Sequence, residues 1–253
     1  MRTILFATIA LLLAGSIIGA VIVWPTTPHV KDAFVIDESK SVPDDARAEA
    51  HTAVETNVGQ LKRGDELIII PLTGDAAIEA PGKVQRVRIS TSRKAYDADL
   101  KQTRTAVRSI LDKLREESSI HPYLRTDLLG SIRLAEEERR PGENFMLAII
   151  SDMINDTPSI NFMNHPALGR EETARTFADE LMKGHQTAWE GARIFLGQLR
   201  SNDLKKLGTE RREAIRAFWI EYFRAGGAVD VVFATDGPGQ LAEFMGRASS
   251  AKK

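Results

Sequence analysis

Asp37, Ser39 and Ser41 place one carboxylate and two hydroxyls at alternate positions, immediately after the apolar run Phe34-Val35-Ile36. An apolar run of this length, bounded by polar residues, suits a buried strand of a parallel sheet. Ligands of such sheets gather at the carboxyl ends of the strands, where these three oxygens would sit. They read as an oxygen-ligand loop. The residues that follow, Val42-Pro43-Asp44-Asp45, open a helix with Pro and acids in its first turn.

The pattern Asp-x-Ser-x-Ser behind an apolar strand resembles the first loop of the metal-ion-dependent adhesion site of the von Willebrand factor type A family. The family pattern adds a Thr that opens a later helix and an Asp that ends a later strand. Thr126 fills the first of these positions, in Leu124-Arg125-Thr126-Asp127-Leu128-Leu129-Gly130-Ser131-Ile132, ahead of an amphipathic helical pattern. Asp152 fills the second, at the end of Phe145-Met146-Leu147-Ala148-Ile149-Ile150-Ser151-Asp152. The family strand closes on Ser-Asp-Gly. Met153 stands in place of that Gly, which matters if the backbone after Asp152 needs a positive φ.

The resemblance implies a site in which Asp37, Ser39, Ser41, Thr126 and Asp152 hold Mg²⁺, or Mn²⁺ or Ca²⁺, and a carboxylate from a protein partner completes the shell. It implies binding and no catalysis. The residue types agree with that chemistry. Mg²⁺ wants about six oxygens in near-octahedral geometry and keeps several waters, so a few carboxylates and hydroxyls on separate loops suit it. Neutral Ser39, Ser41 and Thr126 would leave the ion only partly neutralised by Asp37 and Asp152. Two other readings use the same residues. The fold could serve as a scaffold without a working ion site, its Asp and Ser residues capping the following helix. Alternatively, a haloacid-dehalogenase-like phosphotransferase would use Asp37 as nucleophile; that class carries a second acid two residues on, where this chain has Ser39. No phosphate loop, nucleophile elbow or His-Glu-x-x-His zinc pattern occurs. The five His have no ligand spacing.

Positioning these loops requires an alternation of strand and helix, and the periodicity supplies it. Helical patterns cover residues 44–61, 96–117, 126–139, 171–182, 209–225 and 239–247, with strands at 34–37, 66–72, 145–152, 192–199 and 229–234. Residues 84–90 alternate apolar and polar, which fits an edge strand antiparallel to its predecessor. The expected fold class is α/β: a doubly wound, mostly parallel sheet with one antiparallel edge strand and helices on both faces. Residues 155–169, opened by Asn155 and closed by Gly169, hold two Pro and three Asn. They read as an irregular surface loop beside the site, either selecting the partner or carrying no ligand role.

Composition sets the wider bounds. With 43% hydrophobic and 27% charged residues the 253-residue chain is of ordinary globular type. Lys+Arg 34 against Asp+Glu 35 gives a net charge of -1 and no bulk electrostatic case for nucleic acid. The absence of Cys excludes disulfides and thiolate chemistry. Ile4 to Trp24 is uncharged and 21 residues long, about the length that spans a bilayer as a helix. The expectation is a membrane anchor with Arg2 on the cytoplasmic side and the domain outside, or a cleaved signal peptide using small residues such as Ala14 and Gly15. A Pro- and Thr-rich linker over 25–29, a single domain over 30–247 and a frayed tail over 248–253 complete the organisation.

Overall fold

The computed structural model describes residues 29–79, 82–140 and 142–250, with side chains to residue 246. The expected anchor or signal helix over 1–24 and most of the linker lie outside the described residues. Among the described residues, no helix is long and apolar enough to cross a membrane.

Six strands form one sheet in the order β3-β2-β1-β4-β5-β6. They are β1 (Val30–Asp37), β2 (Glu66–Leu72), β3 (Gln85–Arg88), β4 (Asn144–Ser151), β5 (Arg193–Gln198) and β6 (Asp230–Ala234). All pairings are parallel except β2 with β3, which is antiparallel as the alternating 84–90 pattern requires. From β1 the chain winds outward to β2 and β3. It then returns to β4 and winds the other way, so the order reverses between β1 and β4. That reversal opens a crevice beyond their carboxyl ends, the ordinary ligand position of an open α/β sheet.

Strand alternation divides the core into two layers. Ala33, Val35, Leu147, Ile149, Ile194 and Leu196 face α4 (Leu128–Glu137), α5 (Glu171–Met182) and α7 (Thr209–Ala225), where an aromatic group built on Phe162, Phe218, Trp219 and Phe223 fills the layer. Phe34, Ile36, Met146, Ala148 and Phe195 face α1 (Asp44–Val58), α3 (Tyr96–Ile120) and α8 (Leu241–Ser250). The runs of β1 and β4 are apolar without alternation because both of their faces are covered.

Several boundaries differ from those read in the sequence. The helix expected from Thr126 begins at Leu128, because Asp127 caps it: its Oδ1 accepts from Gly130 N at 2.9 Å and its Oδ2 from Ala76 N at 3.1 Å. A Cβ on Gly130 would run into that carboxylate and lie 2.9 Å from the Ala76 Cβ, so the close approach needs glycine. Two short helices, α2 (Ala76–Glu79) and α6 (Asn202–Lys206), interrupt stretches read as loop. The last helix continues to Ser250, into the stretch expected to fray. The 155–169 segment is irregular but not merely a surface loop. Phe162 and Leu168 are fully buried in the α4/α5/α7 layer, and a 3-10 turn covers Pro166–Gly169.

Candidate metal centre

Asp37 is the last residue of β1, and Asp152 follows Ser151 at the end of β4, so the two acids flank the reversal point. Both are buried. Asp37 Oδ1 accepts from Ser39 N at 2.8 Å, tightening the turn after β1, and its Oδ2 accepts from Ser151 Oγ at 2.7 Å. Ser39 Oγ and Ser41 Oγ lie 3.0 Å apart, and Ser41 Oγ donates to Asp152 Oδ2 at 3.2 Å. Asp152 Oδ1 accepts from Ile154 N at 3.0 Å. A continuous chain of hydroxyls therefore links the two carboxylates across the crevice.

Ser39, Ser41, Thr126 and Asp152 line one cleft of about 270 Å³, together with Asp156 and Asn202. Thr126 reaches it from an isolated bridge rather than a helix: Asp156 N donates to Thr126 O at 2.7 Å, and Thr126 N to Asp156 O at 3.3 Å. Asp37 does not line the cleft. It lies beneath, and its hydrogen bonds to Ser39 and Ser151 set the loops above it. Four of the five residues singled out in the sequence thus converge on one space, with the fifth supporting them.

Burial raises the pKa of Asp37, hydrogen bonds from Ser39 and Ser151 oppose the rise, and the Glu38 charge adds to it. Burial likewise pushes Asp152 up to about 7, with the Asp37 charge adding to the push and the Ser201 hydroxyl, Ile154 N–H and Ser41 hydroxyl opposing it. The Glu38 charge acts on Asp37 and the Asp37 charge on Asp152, and Lys40 and Lys206 stand on the rim of the same cleft. Two buried carboxylates in this position are poorly satisfied by neutral donors alone, and a cation would relieve both. Among the described residues, no group of three or more His, Cys, Asp or Glu is arranged to hold a metal ion. An ion here would rest on the Asp152 carboxylate, the hydroxyls and water, with the Asp37 carboxylate beneath them, a set that suits a hard divalent cation and not a soft one.

Met153 settles the question raised by the missing Gly. Its φ is 65°, the one positive value at a non-glycine among the described residues. The turn after Asp152 does use the left-handed region, and a buried Met occupies it. Three interactions hold it there: Met153 N donates to Ser151 Oγ at 3.1 Å, Trp219 Nε1 donates to Met153 O at 2.9 Å, and the side chain is fully buried. Such a conformation costs roughly 1–3 kcal/mol and persists where its surroundings over-determine it.

Sequence reading missed three supporting groups. Ser151 bonds both Asp37 and the Met153 turn; it was visible beside Asp152 but had no assigned role. Ser201 caps α6 through Leu204 N at 2.9 Å and brings the loop after β5 against Asp152; Ser before an acid and an apolar residue is a capping signal. Glu38, fully buried, hydrogen bonds His51 Nε2 through its Oε1, and Arg115 Nη2 lies 3.0 Å from His51 Nδ1. Arginine only donates, so His51 Nδ1 accepts and its proton sits on Nε2. Only the folded chain brings these three together.

No family model matches the chain, and neither does any curated protein sequence. Among solved structures it is similar to a von Willebrand factor type A protein from Catenulispora acidiphila, at 16% identity and TM-score 0.44, over 88% of this chain and 43% of that one. It is also similar to the manganese-loaded TRAP protein of Plasmodium vivax, at 11% identity and TM-score 0.44, over 86% of this chain and 72% of that one. A third is proximal thread matrix protein 1 from the mussel byssus with a zinc-occupied MIDAS motif, at 11% identity and TM-score 0.43, over 87% and 44%. The chain spans less than half the length of the first and third of these. Likenesses of this size bear neither on the site nor on its ligand.

Proposed function

We propose that the crevice between β1 and β4 holds a divalent cation, Mg²⁺ or another hard ion, and that the protein uses it to bind the carboxylate of a protein partner. The observation that supports this reading most is the pair of buried carboxylates, Asp37 and Asp152, joined through Ser39 and Ser41 beside an open cleft. Ser39, Ser41, Thr126 and Asp152 would supply oxygens to the ion, with Asp37 beneath them. When bound, the ion would act as a Lewis-acidic anchor for an acidic side chain. This is the arrangement that the resemblance to the von Willebrand factor type A family implies.

Asp37 makes a poor nucleophile for phosphoryl transfer. It is fully buried, both of its oxygens accept hydrogen bonds, and it does not reach the cleft. The reading is therefore of a binding domain, and by the character of residues 4–24 one tethered to a membrane with the domain outside. The 155–169 segment, which contributes Asp156 and Met163 to the cleft rim, would select the partner on this reading.

Water-proton relaxation of the Mn²⁺-loaded chain, titrated with acetate as a stand-in for the partner carboxylate, tests the reading. Relaxation enhancement that appears on Mn²⁺ binding and falls as acetate displaces metal-bound water supports it. Enhancement unchanged by acetate up to about 100 mM, the range of millimolar affinities and weaker, overturns the carboxylate-anchor role. No enhancement at all overturns the metal site itself.

A further inference from the structure

The cleft lined by Ser39, Ser41, Thr126 and Asp152 has an apolar side that the proposed ion does not use. Leu124, Met163 and Ile154 line it as well. Leu124 is 77% exposed, although leucine is among the residues most often buried on folding. Among the described residues, the large hydrophobics left exposed are Ile78, Ile120, Leu124 and Val229, and the first three stand at the carboxyl end of the sheet. Ile78 lies in α2, just after β2, and Ile120 ends α3 shortly before Tyr123, whose carbonyl accepts from Lys40 N in the loop after β1. Val229, just ahead of β6, stands at the other end. Single exposed hydrophobics are ordinary on a protein surface, so exposure alone decides nothing. The setting of Leu124 does.

Leu124 is mounted between fixed points. Tyr123 O accepts from Lys40 N at 3.2 Å, and Tyr123 Oη accepts from Lys83 Nζ at 2.6 Å, with the ammonium 5.2 Å from the ring centroid. Lys83 is in turn held 3.3 Å from Glu117 Oε2. On the other side Thr126 is bridged to Asp156, and Asp127 N donates to Thr73 O at 2.8 Å. A side chain on so fixed a backbone loses little freedom on contact, so burying it favours association at low entropic cost. Half-buried Met163 adds an adaptable thioether to the same lining. The rim acids are already engaged, Asp203 by Lys206 at 2.6 Å and Asp156 by Asn161 Nδ2 at 2.6 Å. Lys40 is exposed and has no ion pair among the described residues, so the rim favours an anionic visitor. The volume of about 270 Å³ equals roughly nine waters at ~30 Å³ each, more than one ion and one carboxylate fill.

We propose that the partner carries its carboxylate on an extended segment with a large apolar side chain within two residues of the acid, and that Leu124 and Met163 receive that side chain. The inference rests on the metal reading above and narrows it to a class of partner. An extended segment advances about 3.3 Å per residue, so a neighbour one or two positions from the acid stays within reach of the same cleft. The ion would supply affinity for the acid, and Leu124 would discriminate among acids by what stands beside them. The other occupant the cleft allows is a carboxylate with polar neighbours, which would leave Leu124 idle.

Water-proton relaxation of the Mn²⁺-loaded full chain separates the two. The probes are acetate, the capped peptide Gly-Gly-Asp-Gly-Gly, and the peptides in which Leu replaces each Gly in turn. At least one leucine peptide should displace metal-bound water at an about tenfold or more lower concentration than the all-glycine peptide, the order of effect that burying a leucine side chain produces. Leu124→Ser should cut that preference to about twofold or less. It should leave Mn²⁺ affinity, displacement by acetate and circular dichroism unchanged, because the side chain it removes is exposed. Equal displacement by every peptide, or a preference that survives Leu124→Ser, would overturn the proposal while displacement by acetate keeps the carboxylate reading standing. Enhanced relaxation that neither acetate nor any peptide alters would overturn the carboxylate reading, and no enhancement at all the metal site; either result takes this proposal with it.

Discussion

The two ends of β1 bury acids in opposite ways. At the carboxyl end all four oxygens of Asp37 and Asp152 accept a hydrogen bond, and hydroxyls at Ser39 and Ser41 bridge the gap between them. At the amino end Asp32 keeps one oxygen with no partner among the described residues, and the nearby guanidinium of Arg193 keeps a nitrogen likewise. The first end sets two acids against one another through shared hydroxyls. The second sets a deeply buried acid, its pKa raised by burial to about 8, in the same strand row as a guanidinium held by Phe244 O. Burial raises the pKa of acids at both ends, so desolvation alone does not distinguish them; the arrangement of neutral donors does.

The largest effect expected from breaking this comparison is at the carboxyl end. Asp152→Ala should weaken Mn²⁺ binding by about a hundredfold or more, close to 3 kcal/mol. The metal-free protein should lose little stability, since the same change removes a carboxylate that repels Asp37. Titration calorimetry and chemical denaturation in chelator check the two halves of that statement. An Asp152→Ala protein that binds Mn²⁺ like the wild type would place the ion elsewhere.

Next in size is the pH dependence at the amino end. Asp32 has a folded-state pKa raised to about 8 from a reference of 3.8, so the folded protein holds this proton over the window between them and the unfolded chain does not. The contribution of Asp32 to stability is therefore flat below about pH 4, falls as pH rises through the window, and levels off above about pH 8. Asp32→Asn removes that loss. The variant should match the wild type near pH 4 and exceed it increasingly toward pH 8, by up to roughly 1.4 kcal/mol per unit of the shift. Denaturation curves at pH 4, 6 and 8 measure it, and a difference that does not grow with pH would show that Asp32 ionises freely.

Smaller effects concern what holds the metal loops. Trp219→Phe removes the indole N–H that bonds Met153 O and leaves a buried carbonyl unpaired, which should cost about 1–3 kcal/mol of stability and loosen the turn behind Asp152. Denaturation with Mn²⁺ affinity measured in parallel tests whether stability and metal binding fall together. The smallest is a contrast at the turn itself. Met153→Gly and Met153→Ala both lose buried side chain, but only Gly is at ease at φ 65°, so the Gly variant should be the more stable of the two by about 1 kcal/mol. Equal stabilities would mean that the backbone there is not strained.

The carboxyl-end site was largely legible in the sequence, and the amino-end row of Asp32 and Arg193 was not. Asp37 and Asp152 announce themselves because each interrupts a long apolar run, and that interruption marks where a covered strand leaves the core. Thr126 lines the cleft from an isolated bridge, where the sequence reading opened a helix with it. The adjacent Asp127 takes the cap because Ala76 N, brought in from α2, gives its second oxygen a partner that local sequence does not show. The helices α2 and α6 have four and five residues, too few to display a period. Phe162 looked like part of an irregular loop, because its burial depends on α7 packing from more than fifty residues away. The pairing of Asp32 with Arg193 rests on the register of three strands distant in the chain, so each residue alone reads as the polar edge of its strand.

The most direct test of the central claim is a calorimetric titration of the full chain with Mg²⁺ and Mn²⁺, alongside Asp37→Ala and Asp152→Ala. The account predicts heat of binding in the wild type that vanishes in both variants while their circular dichroism is unchanged. Wild-type protein that takes up neither ion would contradict it and leave the crevice a hydroxyl-lined scaffold.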